Sequence, residues 1–543
     1  MINKLKNINL IAILIIFSFL VIQVNSLNTG GTTIDERSLD NGNQVTYEKL
    51  KLISEFEIFH KKSINPSLTK ISSTETYGQF ISFQQFLFSR IFYDTELIEK
   101  FFSKNSMPSS FYSKISYLRN LYLNIYVSFL LFLSYLLISK FKTQKFAILF
   151  LTLLILIPSF SGHSLFNQKD IMFMFHIFFA SFLIVLNINS NSKKAILAMS
   201  VASGVVMSLR ISAAGFLYLC VLFCLFYEFY LESVDRKLII RKYINYSIFT
   251  LLFYFIFSPA SWFNPVGFLQ ESINQQILLE WNGSTLTNGE FVLSSDMDRF
   301  YLLKWYFYKL PIVFHVFLFL GFTNLYFKKL KTDKFYVYSL FFLLSVNLIF
   351  IFSKPDVYDG IRQFLFLIPF IVYISTAILD QFKSQSIYVI PIVIVYLIYT
   401  QSGLGPYRYV YFNELVDEEN ITYDCKNIDG CGNWLTDYWG YSARSMAEYI
   451  NKNNHSNVYV CKTVEIWDPY INENLNPIYT DTSKLVDKEF LVATIYRPRF
   501  LDDGCGFYRS NIKYDCKIES KTTTMLRQHE IDLNYLKTCK INS

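Results

Sequence analysis

The sequence predicts an all-α membrane protein: a polytopic bundle of about eleven transmembrane helices with a large first exterior loop and a C-terminal exterior α/β domain. Three observations carry this expectation. Hydrophobic residues make up 52% of the chain and charged residues only 17%, and the mean hydropathy is +0.28, less polar than a soluble enzyme of 543 residues. Apolar runs of bilayer length recur throughout residues 1–401. Cations gather in alternate connections between those runs, as the positive-inside rule requires. The net charge of +7 is spread over these short loops without a compact basic patch, so no nucleic-acid partner is expected.

The first run, LIAILIIFSFLVIQV, follows the basic start MINKLKN, which should stay cytoplasmic. Its modest length and the small Ser26 also fit a cleaved signal peptide. Either way, Thr33-Ile34-Asp35-Glu36 emerges on the far side. Further spans are expected near 118–139, 146–160, 171–188, 194–209, 212–231, 246–263, 306–327, 335–353, 363–380 and 387–401. Lys140, Lys142 and Lys145, then Lys193 and Lys194, then Arg236, Lys237, Arg241 and Lys242, and finally Lys328, Lys329, Lys331 and Lys334 mark the cytoplasmic loops.

An odd number of spans starting inside divides the chain into a membrane domain, 1–401, and an exterior domain, 402–543. Within the first exterior loop, 26–117, YEKLKLISEFEIF and YGQFISFQQFLFSRIF space their apolar residues three and four apart with charges between. That pattern predicts helices lying on the membrane surface. The tail carries Cys425, Cys431, Cys461, Cys505, Cys516 and Cys539; in an oxidising compartment these form disulfides, and no pairing is selected. A zinc site is the rival reading, but no C-x-x-C occurs and His455 and His529 stand apart. Cys220 and Cys224, one helical turn apart within a span, read as core, and so do His176 and His315.

Several charges collect at the exterior interface. Asp35 and Glu36 form an acidic pair where a carboxylate can take a proton from an acceptor; two adjacent acids are also a candidate divalent-cation site. In PSFSGHSLFNQKDI, Pro158 and Gly162 break the helices and leave His163, Lys169 and Asp170 at the turn. A charge at a helix centre costs roughly 2.5–3.5 kcal/mol, so the interface is its natural place. Arg210 lies in the short hairpin SLRIS, and Arg362 starts a span in YDGIRQFLFLIP, behind Asp356 and Asp359. Arg119 joins the same layer. Arginine's planar fork suits phosphate, whereas the bland reading for each one alone is lipid-headgroup contact. For Asp170 the bland reading is a helix cap. The loop 264–305, with Trp281, Asp296 and Asp298, reads as a surface loop or an acceptor contact. N-x-S/T sequons begin at Asn282, Asn420 and Asn454 outside and at Asn245 inside.

TIDE after the first span, PSFSGHSLFNQKDI, SLRIS and YDGIRQFLFLIP, followed by PYRYVYFNELV (406–416) and DYWGYSARSMAEYI (437–450), resemble the GT-C superfamily of polytopic glycosyltransferases. The likeness is to the bacterial branch related to dolichyl-phosphate-mannose protein mannosyltransferases and spans about 33–450. Asn120 departs from the pattern, standing after Arg119 where histidine is expected, and nothing beyond about 450 takes part.

The resemblance implies transfer of a hexose or pentose from a polyprenyl-phosphate carrier to a protein, lipid or glycan hydroxyl on the non-cytoplasmic side, with inversion. Asp35 would be the general base, and Glu36 would orient the acceptor or support Asp35. Arg210, Arg362, Lys169 and His163 would bind the donor phosphate, and Asp170, Arg119 and Asp359 would contact substrate. Membrane lipids are the remaining partners, and no cofactor is implied beyond the optional divalent cation. A transporter or lipid flippase is the rival from another class and calls for ionisable groups near the midplane; a non-catalytic scaffold is the third reading.

Overall fold

The computed structural model describes residues 9–33, 35–54, 71, 73–76, 78–105, 107, 110–231, 236–278, 283–326, 333–382, 386–422, 432–455, 458–460, 464–471, 489–495 and 513–542. Helix α1 (Leu10–Leu27) is capped by Asn9 and packs along α5 (Phe111–Phe141). Between them the first loop folds into α2 (Glu36–Ser54), α3 (Gln79–Phe92) and α4 (Glu96–Lys104), and α3 leans on α5. With 31 residues, α5 is roughly 46 Å long at 1.5 Å per residue. It outruns a bilayer core of about 30 Å, so its first turns, which carry Arg119, project beyond it.

Each remaining apolar run also lies on helix. These are α6 (Gln144–Ile155), α7 (Pro158–His163), α8 (Gln168–Leu186), α9 (Lys193–Leu209), α10 (Ala213–Leu231) and α11 (Arg236–Ile256). After α12 (Pro265–Ile273) come α13 (Tyr301–Lys309), α14 (Ile312–Tyr326), α15 (Lys334–Ser353), α16 (Ile368–Gln381) and α17 (Ser386–Gln401). By length and composition α1, α5, α8, α15 and the stretch Arg362–Gln381 can each cross a membrane, and shorter apolar helices accompany them. The chain is thus an integral membrane protein built on helices. The stretches α8 and Arg362–Gln381 are the most enclosed, as expected of helices apolar on every face.

Three expected spans are broken. The run 146–160 stops at Ile155 and resumes at Pro158, the first residue of α7; the run 246–263 stops at Ile256 and resumes as a 3-10 helix at Pro259; and the run 306–327 splits into α13 and α14 around Pro311. A proline has no amide hydrogen to donate and its ring crowds the preceding turn, so a new helix starts there instead. Cys220 and Cys224 are buried free thiols. His176 is buried and bonds the Met172 carbonyl, so it and the two cysteines take the core roles expected, whereas His315 is half-buried and bonds the Phe307 carbonyl.

The loop 264–305 is more ordered than a plain connector. It folds a hairpin from β1 (Ser284–Thr287) and β2 (Glu290–Leu293) around Asn288-Gly289, both at positive φ, the sequence pair that two-residue turns favour. Asp298 accepts from the Phe300 amide at 3.0 Å and pairs with Lys304 just ahead of α13. Trp281 and Asn282 lie outside the described residues.

In the C-terminal region, α18 (Ala443–Lys452) and α19 (Val464–Trp467) pack on a four-stranded sheet. Its strands β3 (Val458–Val460), β4 (Glu489–Ile495), β5 (Lys513–Leu526) and β6 (His529–Asn542) run in the order β3-β4-β6-β5. The β3-β4 pair is parallel and the others antiparallel. Cys516 faces Cys539 across β5 and β6 and is disulfide-bonded to it. Cys425, Cys431, Cys461 and Cys505 fall outside the described residues.

Candidate functional site

The site forms where the chain leaves α1. Residues 28–33 run to the start of α2, where Glu36 turns back and its Oε1 accepts from the Thr33 amide and hydroxyl, both at 3.0 Å. This T-x-x-E arrangement supplies the backward half of a capping box and satisfies a helix-start amide. Ser116 Oγ donates to the other carboxylate oxygen, and Arg119 Nη1 donates to the Glu36 carbonyl at 2.9 Å. Asp35, next door, has a side chain 35% exposed.

Lys169 reaches Asp35 from the first turn of α8. Gly162 makes its approach possible: a Cβ there would lie 2.1 Å from the Tyr409 amide nitrogen, so the 405–410 backbone packs directly on α7. Asn167 then caps α8, its Oδ1 accepting from the Asp170 amide at 3.2 Å. Lys169 Nζ donates to Asp35 Oδ2 at 3.3 Å.

Arg362 arrives from the other side. Asp359 and Gly360 adopt positive φ, 57° and 70°, and Tyr301 Oη accepts from the Gly360 amide at 2.8 Å. That turn starts the 3-10 helix Arg362–Leu367. Arg362 Nη1 lies 3.8 Å from Asp35 Oδ2, while Nη2 holds Asp359 Oδ2 at 3.1 Å. Its guanidinium sits over Trp439 at 4.7 Å and over Tyr358 at 4.9 Å, contacts worth up to about 2 kcal/mol each when desolvated.

Arg210, the C-cap of α9, ion-pairs with the buried Asp170, and Asn167 Nδ2 donates to Asp170 Oδ2 at 2.8 Å. Arg210 therefore joins the cluster through Asp170, beside Lys169. A narrow cleft of about 10 Å³ runs between Asp35, Lys169, Asn167, Phe166, Trp439 and Asn120. A larger apolar groove of about 430 Å³ lies among α13, α14, α15 and α16, lined by Tyr306, Phe322, Leu344, Leu348, Leu367 and Ile371. Leu367 is five residues from Arg362 on the same 3-10 helix.

The sequence-derived set thus divides. Asp35, Lys169, Arg362 and Asp170 converge, with Arg210 attached. Three others support them. Glu36, expected to be catalytic, is enclosed by Thr33, Ser116 and Asn120, and burial pushes its carboxyl pKa up against the lowering effect of Arg119. Arg119, expected to touch substrate, engages the Glu36 carbonyl and Asp40 Oδ1 at 3.5 Å. Asp359, with the same expectation, is buried and orients Arg362.

His163 is enclosed in the same cluster. Asn167 Nδ2, whose orientation is set by its bonds to Asp170, meets His163 Nδ1 at 3.1 Å, so Nδ1 accepts and Nε2 carries the proton toward Tyr438 Oη at 3.2 Å. Burial pulls its pKa down to about 3. Tyr438, Trp439 and Tyr409 are site residues that single-residue reasoning missed. The stretches PYRYVY and DYWGYS were the available signal.

Two stability predictions follow from these burials. For Glu36, stability is full below the unfolded pKa of about 4.5 and falls as pH rises through the elevated folded value. Glu36→Gln should therefore raise the thermal midpoint at pH 8 relative to the parent, with the gain shrinking toward pH 4.5. For His163 the sign is reversed, and stability is lost as pH falls from about 6.5 toward 3. His163→Gln should flatten that part of the midpoint-against-pH curve.

A bundle of membrane-length helices, with an acid and several cations collected under a small α/β cap, defines a class: integral membrane proteins with a polar site beside the C-terminal sheet domain. Among solved proteins the chain is similar to ArnT from Cupriavidus metallidurans. The apo state aligns with a TM-score of 0.50 at 10% identity over 97% of both chains. The structure of the same protein bound to undecaprenyl phosphate aligns at 0.48, with the same identity and coverage. No family model and no curated protein matches the chain.

Proposed function

We propose that this protein is a membrane glycosyltransferase. It moves a sugar from a polyprenyl-phosphate donor to an acceptor hydroxyl on the non-cytoplasmic face. One observation carries the reading: a partly exposed carboxylate, Asp35, shares a cleft with Lys169 and lies against Arg362. Asp35 takes the acceptor proton as the new glycosidic bond forms at the anomeric carbon. The bond to the donor phosphate breaks with inversion, and the departing lipid phosphate gains negative charge. Arg362 and Lys169 stabilise that charge, with Arg210 beside them, in a setting where water is scarce. The apolar groove below Arg362 suits the prenyl chain.

Glu36, Arg119, Asp359 and His163 hold this arrangement in place. The mannosyltransferase-like branch rests on the sequence motifs, while the fold likeness to ArnT supports the superfamily; the site chemistry serves a hexose or a pentose alike. Protein, lipid and glycan hydroxyls are all eligible acceptors. A flippase would set ionisable groups in mid-bundle, yet the buried pair Glu228–Lys242 is engaged at 2.6 Å and bonded to Asn187 and Asn189 at the opposite end of the helices from Asp35.

The test is donor cleavage by the purified full chain in nanodiscs, offered a panel of undecaprenyl-phosphate hexoses and pentoses plus a membrane extract as acceptor. Acceptor-dependent release of undecaprenyl phosphate supports the reading, and the absence of release from every donor overturns it. Arg210→Gln should raise the donor KM about tenfold, the weaker effect expected of a cation held one pair away from Asp35.

A further inference from the structure

The buried carboxylate of Asp437 has no place in the chemistry above, and it anchors a turn that touches both halves of the site. Asp437 accepts from the Tyr441 amide at 3.0 Å, the Ser442 amide at 2.9 Å, the Ser442 hydroxyl and the Tyr409 hydroxyl. The sheet braces the same turn through Asn534 Nδ2, which donates to the Ser442 carbonyl at 2.9 Å. On one side of the turn, Tyr438 bonds His163 and Trp439 stacks on Arg362. On the other it grips the segment leading to Asp35. The Gly31 amide donates to the Tyr441 carbonyl at 2.9 Å, Arg444 Nη1 donates to the Gly30 carbonyl at 3.4 Å, and the Thr32 and Tyr470 hydroxyls meet at 2.9 Å. The grip has no room for a side chain: a Cβ on Gly30 would lie 2.0 Å from the Tyr441 hydroxyl, and one on Gly31 2.9 Å from the Tyr441 carbonyl.

We propose that residues 437–444 are a positioning strap by which the C-terminal domain sets the Asp35 segment relative to the Arg362 cation, with Asp437, Gly31 and the Thr32–Tyr470 pair as its positioning residues. The proposal rests on the transferase reading for its catalytic consequence, while the physical grip is measurable without it. Contacts from the C-terminal domain fix the placement of the base, and a misplacement of about 1 Å is enough to cost rate. The strap acts on turnover more than on donor binding, because Gly31 and Thr32 lie on the base side of the cleft.

The experiment uses the full chain in nanodiscs. Gly31→Ala is compared with Gly215→Ala, whose added Cβ meets nothing within 4 Å, and with the double change Thr32→Val, Tyr470→Phe, which keeps both shapes. Three quantities are read: hydrogen exchange of the peptide containing Gly31, undecaprenyl phosphate binding stoichiometry as a count of folded sites, and kcat and KM for the donor.

The expected result for Gly31→Ala and for the double variant is at least tenfold faster exchange in that peptide. Per folded site, kcat should drop at least thirtyfold with donor KM within threefold, while Gly215→Ala matches the parent. Unchanged exchange in the double variant overturns the strap, whatever Gly31→Ala does to folding. Faster exchange with parental kcat, or equal changes in kcat and KM, overturns the positioning role. If the parent cleaves no donor, the transferase reading fails and exchange alone decides the grip.

Discussion

Asp35→Asn should lower sugar transfer by about 10²–10⁴-fold, the range a positioned general base contributes, with undecaprenyl phosphate binding equal to or tighter than that of the parent. Asn has the size of Asp and keeps one acceptor oxygen for Lys169, so the cleft survives the change. It cannot take a proton. The second expectation follows from charge: Asp35 lies beside Lys169 and within 3.8 Å of Arg362, and its own negative charge offsets part of the attraction those cations exert on an anionic lipid. Removing it leaves the cations less compensated. Transfer rates and lipid affinity measured on the same preparation therefore move in opposite directions. A variant that loses both together has lost its fold or its donor site, and Asp35 would then be a structural acid.

The parts of this architecture legible in the sequence are those written in local signals. Apolar runs and loop cations place helix after helix, and interfacial charges mark the layer in which Asp35, Lys169 and Arg362 meet. The prolines that split three of the runs were equally visible, since Pro158, Pro259 and Pro311 stand within apolar stretches where they disfavour a continuous helix, although α17 carries Pro391 in its interior unbroken. What was not legible depends on distant partners. Asp35 and Glu36 look interchangeable as neighbours until Thr33 from within the loop, and Ser116 and Asn120 from a distant helix, enclose one of them. His163 reads as a cation until Phe166, Tyr409 and Tyr438 enclose it and remove the water a charged imidazole requires. Asp359 reads as a ligand contact until the positive-φ turn folds it onto Arg362. Trp439 belongs to a domain that begins after the last membrane helix, and no spacing rule reaches from there to Arg362.

Arg362→Gln should give the other large loss, with kcat down about 10²–10³-fold, the scale of removing one preorganised donor to a developing anion, and donor KM raised by at least tenfold. Arg362 is bonded to Asp359, lies near Asp35 and is stacked between Trp439 and Tyr358. These contacts fix its planar fork before substrate arrives, so little ordering remains to oppose phosphate binding. Gln matches part of that shape without charge. Arg362→Lys separates charge from geometry: an ammonium retains attraction to phosphate but loses the planar stacking and the second donor that serves Asp359, so it should recover donor KM more than kcat. The cluster also makes an ordering testable. Arg210 is paired with Asp170 and joins the cluster through that acid, so its loss should fall mainly on KM, whereas the loss at Arg362 falls on both constants. If Arg210→Gln proved the more damaging to kcat, the departing phosphate would have to lie over the α8–α9 end of the cleft, and Arg362 would be reassigned as the residue that orients Asp35.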